Sequence, residues 1–68
     1  MILMSKIPLA TLKRIMKESG AARVSDDAVE ALADALEEYA EETSRQAIKL
    51  ANHAGRKTVT EDDVKLAL

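Results

Sequence analysis

The chain has 68 residues, with 12 acids, 10 Lys and Arg and one histidine, so its formal net charge is −2, and it contains no cysteine. No disulfide framework or thiolate metal site can staple so small a domain, and a folded monomer of this size buries only about 60% of the surface its unfolded chain exposes. Tyr39 is the single aromatic residue beside abundant Ala, Leu, Ile, Val and Met, a composition that favours closely packed helices and an all-α domain completed by a second chain. The opening MILM is too short for a signal-peptide apolar core, and no apolar run approaches the roughly 20 residues of a membrane span. The expectation is a soluble intracellular protein with no membrane partner.

Three helices are predicted in chain order. Residues 1–6 form an extension of no assigned role. The first helix has Pro8 near its start, where a missing N–H costs nothing, and Gly20 just past its end, where positive φ carries no penalty. Leu9, Leu12, Ile15 and Met16 recur at helical spacing, with Lys13, Arg14 and Lys17 on other faces. The segment GAARVS, residues 20–25, is then a loop ending in Ser25, a good N-cap, and Asp26 and Asp27 follow in a first turn where the helix dipole favours acids. From Asp27 to about Ala54 there is no Gly or Pro. Val29, Leu32, Leu36, Tyr39, Thr43, Ala47, Leu50 and Ala54 fall at intervals of three and four along this stretch, so a long helix with one apolar stripe is expected. Gly55 ends it, GRKTV makes a second loop, and Thr60 with Asp63 forms a capping arrangement for a short last helix carrying Val64, Ala67 and Leu68 on one side and Leu66 on another.

A long helix of roughly 40 Å cannot be wrapped by two short flankers. The bare stripe needs another long helix, and the simplest closed solution is a twofold dimer in which the long helices cross antiparallel. Leu32, Leu36, Tyr39, Thr43 and Ala47 are its expected core. The crossing would bring the first loop of one chain beside the second loop of its mate. Residues 26–42 hold eight of the twelve acids and no Lys or Arg, leaving ten bases against four acids elsewhere, a net of +6. Lys13, Arg14 and Lys17 on the first helix, Arg23 in the first loop, and Arg56 and Lys57 in the second can then line one basic surface, and a polyanion is the natural partner.

The stretches GAARVSDDA (20–28) and AIKLANHAGRKTVTEDDVKLA (47–67), with EALADALEEYAEE between them, strongly resemble an archaeal histone, and the resemblance covers residues 7–68. It implies a histone fold that dimerises head to tail, binds double-stranded DNA without base specificity, and stacks dimers to wrap and compact the duplex. Chromosome association in the cytoplasm follows. On that pattern Arg23 points into the minor groove, as arginines do where a wrapped groove faces inward; the alternative is an arginine bridging to a neighbouring acid. Lys57 and Thr58 contact phosphate through ammonium, hydroxyl and loop N–H groups, against a plain solvated turn. Arg14 matches a backbone-touching position, whereas Lys13 and Lys17 fit DNA contact or a solubilising face about equally.

The same resemblance pairs Arg56 with Asp63 in a clamp that holds the second loop, a task suited to a planar guanidinium fork. It also gathers Leu50, His53, Asp63 and Leu66 on a face where two dimers meet. His53 has only Arg56 and Lys57 at the following helical positions, so no metal site forms around it, and no cofactor is expected. Nor is catalysis, since no nucleophile stands beside a base and no glycine motif cradles phosphate. Three departures leave a second function open. The chain as given ends at Leu68 without the basic tail of many relatives, Thr60 stands where lysine is frequent, and the long helix is unusually acidic. A histone-fold interaction module, pairing with a histone paralogue or with a component of a transcription factor and binding DNA weakly, is that alternative.

Overall fold

The computed structural model describes residues 7–68; the extension expected at 1–6 lies outside them. Three helices follow in order, α1 (Leu9–Glu18), α2 (Asp26–His53) and α3 (Glu61–Ala67), and the described residues contain no strand. The short, long and short pattern is the one expected from the sequence, with each boundary within two residues of its predicted place.

Each helix end has an identifiable cause. Pro8 stands immediately before α1 with φ −61, ψ 114. After α1, the Ala21 N–H donates to the Met16 carbonyl at 3.2 Å and the Gly20 N–H to the Lys17 carbonyl at 3.0 Å. This is a Schellman closure, and it requires the positive φ of 124° that Gly20 supplies. At the start of α2 the Ser25 hydroxyl accepts the Ala28 N–H at 3.1 Å, the N-cap bond predicted from its residue type. The end of α2 repeats the Schellman pattern: Arg56 N–H to the Ala51 carbonyl at 2.9 Å and Gly55 N–H to the Asn52 carbonyl at 2.9 Å, with Gly55 at φ 76°.

The described chain divides into two compact units whose boundary falls inside α2, between Glu37 and Glu38. In the first, Leu12, Val29 and Ala33 are buried, and Ile7, Met16, Val24 and Leu32 pack against them. Removing one such Leu or Val side chain from water is worth about 1.5–3 kcal/mol, so this small cluster is enough to seat α1 on the first part of α2. In the second unit Thr43, Ala47, Ala51 and Asp63 are buried. The stripe predicted along α2 therefore splits. Val29, Thr43 and Ala47 are covered by this chain, while Leu36 and Tyr39 remain 37% and 56% exposed. Two alanines outside the predicted stripe, Ala33 and Ala51, are almost completely buried. They follow Val29 and Ala47 by four residues, and their lack of bulk lets a neighbouring segment approach.

Candidate nucleic-acid interface

The second loop is the best-defined part of the candidate surface. Arg56, at the exit of α2, reaches across to Asp63 in the first turn of α3 and holds it with two parallel bonds, Nη1 to Oδ2 at 2.7 Å and Nη2 to Oδ1 at 2.9 Å. Nη1 also donates to the Thr58 carbonyl at 3.1 Å. Asp63 in turn accepts the Thr60 N–H at 2.8 Å and the Thr60 hydroxyl at 3.0 Å. The residue is only 3% exposed, yet every charge in this cluster is matched. The Arg56 fork, the Thr60 N–H and the Thr60 hydroxyl hold the Asp63 carboxyl far below the usual carboxylate range, against the opposing effect of burial. The hydrogen bond to Asp63 raises the Arg56 guanidinium above its ordinary value.

One consequence of this cluster is outward. With its backbone tied at 56, 58 and 60, the loop leaves the N–H groups of Lys57, Thr58 and Val59 without a backbone acceptor, and no side chain of a described residue accepts them. Lys57 and Thr58 are exposed, and among the described residues Lys57 enters no ion pair. The Lys57 ammonium, the Thr58 hydroxyl and the unpaired N–H groups of 57–59 are the groups this loop leaves open to an anion.

In the first unit, Arg23 lies in the exposed loop between α1 and α2, with no ion pair among the described residues. The acid bridge considered as its alternative is not formed among the described residues. On α1, Lys13, Arg14, Lys17 and Glu18 share one outer face with Ala10. Arg14 Nη1 is 3.0 Å from Glu18 Oε1, both side chains being mostly exposed. Such a pair is worth about 0.3–0.5 kcal/mol, little enough for a phosphate to displace. Glu18 is not among the residues singled out from the sequence, although its i, i+4 spacing from Arg14 is the signal for it.

Leu50, His53 and Leu66 line one shallow depression together with Gln46, Lys49 and Ala67, and Leu66 is 77% exposed there. Asp63, expected on the same face, is turned away into the clamp with four intrachain hydrogen bonds. Oδ1 accepts a single one of those four, so of the two oxygens it alone retains capacity for a further donor. On the outer side of α2, Glu42 is held below its usual value by hydrogen bonds from Gln46 and Arg45. No group of three or more His, Cys, Asp or Glu among the described residues is placed to hold a metal ion, and no helix among them is long and apolar enough to cross a membrane.

A short, long and short all-α chain with a clamped cationic second loop defines a histone-type fold. The family model described as "Histone-like transcription factor (CBF/NF-Y) and archaeal histone" matches residues 5–68, and the chain belongs to this family. It is 51% identical over 65 residues to one of the subunits of the archaeal histone HAN1 of Thermococcus zilligii, covering 96% of this chain and 97% of that protein. "Probable archaeal histone 3" of Methanocaldococcus jannaschii is likewise 51% identical over 65 residues, with the same coverage. A third relative, "DNA-binding protein HmvA" of the same organism, is 41% identical over 59 residues, 87% of this chain and 62% of that protein.

Proposed function

We propose that this chain is a chromatin protein that binds double-stranded DNA without sequence preference, dimerises through α2, and wraps and compacts the duplex. The observation that carries the reading is the second loop: a bidentate clamp beneath it, and Lys57, Thr58 and unpaired backbone N–H groups above it. Such a surface suits phosphate, the contact that positions a protein on the duplex without reading its sequence. Arg23, unpaired and exposed, is the residue for the minor groove, and Arg14 with Lys13 supplies further backbone contacts. The names of the relatives as archaeal histones and as a DNA-binding protein point the same way.

Dimerisation follows from the apolar surface one chain leaves open: Leu36, Tyr39 and Ile48 on α2, Ile15 on α1 and Val64 on α3 are all exposed. An antiparallel copy crossing at α2 covers such a surface and pairs the first loop of each chain with the second loop of the other. Leu50, His53 and Leu66 form the face on which dimers stack into tetramers or longer assemblies. The action is binding, with no chemical step.

The acidic first part of α2, and the naming of the Thermococcus relative as one subunit of its histone, support a second reading, an interaction module that pairs with a histone-like paralogue and grips DNA weakly. The two readings separate in a competition between unrelated duplexes of equal length at one salt concentration. Equal affinities, with Arg23→Ala and Lys57→Ala each weakening both duplexes alike, support DNA wrapping. Parent-level binding by both variants would contradict it and favour the interaction module.

A further inference from the structure

Thr60 is the N-cap of α3, in a capping box with Asp63, and its hydroxyl is also the uncharged member of the clamp. It donates to Asp63 Oδ2 at 3.0 Å, where the Thr60 N–H at 2.8 Å and Arg56 Nη1 at 2.7 Å also converge. The terminal torsion of an aspartate is broad and only weakly self-limited, so the direction in which Asp63 faces depends on these donors. Arg56 is shared between Asp63 and the Thr58 carbonyl, and any swing of the carboxylate is passed through the rigid guanidinium to that carbonyl. The Thr58 C=O and the Val59 N–H belong to one planar trans peptide and point in opposite directions. Holding the carbonyl toward Arg56 therefore turns the Val59 N–H away from the clamp.

We propose that Thr60 is the positioning residue of the second loop: its hydroxyl sets the Asp63 carboxylate so that Arg56 fixes the Thr58–Val59 peptide with its N–H presented to phosphate. The inference rests on the reading of this loop as a DNA-contacting surface, and Thr60 itself touches no DNA in it. Where a lysine at this position would add a charge, the threonine adds order.

The test compares the full chain with Thr60→Val, which keeps the shape and loses the hydroxyl, and Thr60→Ser, which keeps the hydroxyl. Thr60→Ala gives the same readouts should the valine variant not fold. Amide hydrogen exchange is measured without DNA, and binding to a random-sequence duplex is measured across a salt series, with Lys57→Ala as reference. The expected result is faster exchange of the residue-60 amide, whose acceptor is the Asp63 carboxylate, while the amides of α2 keep their rates. The Kd rises about three- to tenfold, the span one hydrogen bond commands, with an unchanged salt slope because no charge is lost. Serine restores both. Parent-like exchange in the loop would overturn the proposal, as would faster exchange confined to the amides of α3, the mark of a lost N-cap alone, or a weaker Kd accompanied by faster exchange throughout the chain. If the parent and Lys57→Ala both show no salt-dependent binding, the DNA reading fails instead, and loop exchange alone decides the role of Thr60.

Discussion

Two adjacent cations in the second loop do different work. Arg56 turns back to Asp63 and Thr58, while Lys57 has no ion pair among the described residues and stands in solvent. Arg56→Lys should therefore lower the melting temperature and weaken DNA binding together, because an ammonium cannot make the two parallel bonds. Lys57→Ala should leave the melting temperature within a degree or two of the parent and reduce the log K against log salt slope by about 2 in magnitude, one contact from each copy of a dimer; thermal melts and salt titrations of the two variants check both. Asp63 gives the loop a pH dependence. Its folded pKa is depressed, so its stabilisation is complete above the unfolded value of about 3.9 and drains away as acid takes the pH below that value toward the folded one. Melting temperature plotted against pH should fall on acidification in the parent and fall less steeply in Asp63→Asn, whose starting stability is lower.

At the scale of the helices, the ends were legible in the sequence because residues with special backbone chemistry mark them. Ser25 caps α2, and Gly20 and Gly55 close α1 and α2 at positive φ. A Cβ at Gly55 would meet nothing within 4 Å, so Gly55→Ala isolates the backbone cost of the left-handed conformation, about 1 kcal/mol or somewhat more. Ser25→Ala should cost about 1 kcal/mol through the lost N-cap. Denaturant titration of each variant measures these values. The covering of each face was less legible. Helical spacing identifies an apolar stripe of about 100° but not which neighbour lies over each part of it. Val29, Ala47 and Thr43 are buried within the chain, whereas Leu36 and Tyr39 in the same stripe are exposed, and Ala33 and Ala51 carry too little apolar mass to stand out in a pattern yet are among the most deeply buried residues of α2. Likewise the Arg56–Asp63 pair came from family resemblance and the Thr60–Asp63 capping box from residue type and spacing, whereas the part played by the Thr58 carbonyl became visible in the structure alone, because it depends on how the loop backbone turns.

For the whole molecule, the apolar side chains left exposed on a 7.4 kDa chain are the ground for the proposed dimer, in which folding and association are linked. The melting temperature of the parent should rise with protein concentration, as it does when the folded state is an oligomer and the unfolded state is not. Tyr39→Glu, which puts a charge at the expected crossing of the long helices, should reduce both the melting temperature and the fraction of dimer seen by sedimentation. The charge distribution belongs to the same scale. The eight acids of residues 26–42 leave a net of +6 on the remainder, so a chain of negative net charge can still meet a polyanion through its loops and first helix. On the proposed function, Arg14, Arg23 and Lys57 from the two copies of a dimer would make about six phosphate contacts, which gives a log K against log salt slope of roughly −5. The measurement that tests this most directly is the affinity of the purified parent protein for a random-sequence duplex of a few tens of base pairs across a salt series. A slope near −5 is the expected result, and a flat response, or no binding at low salt with the dimer intact, would contradict DNA binding as the function.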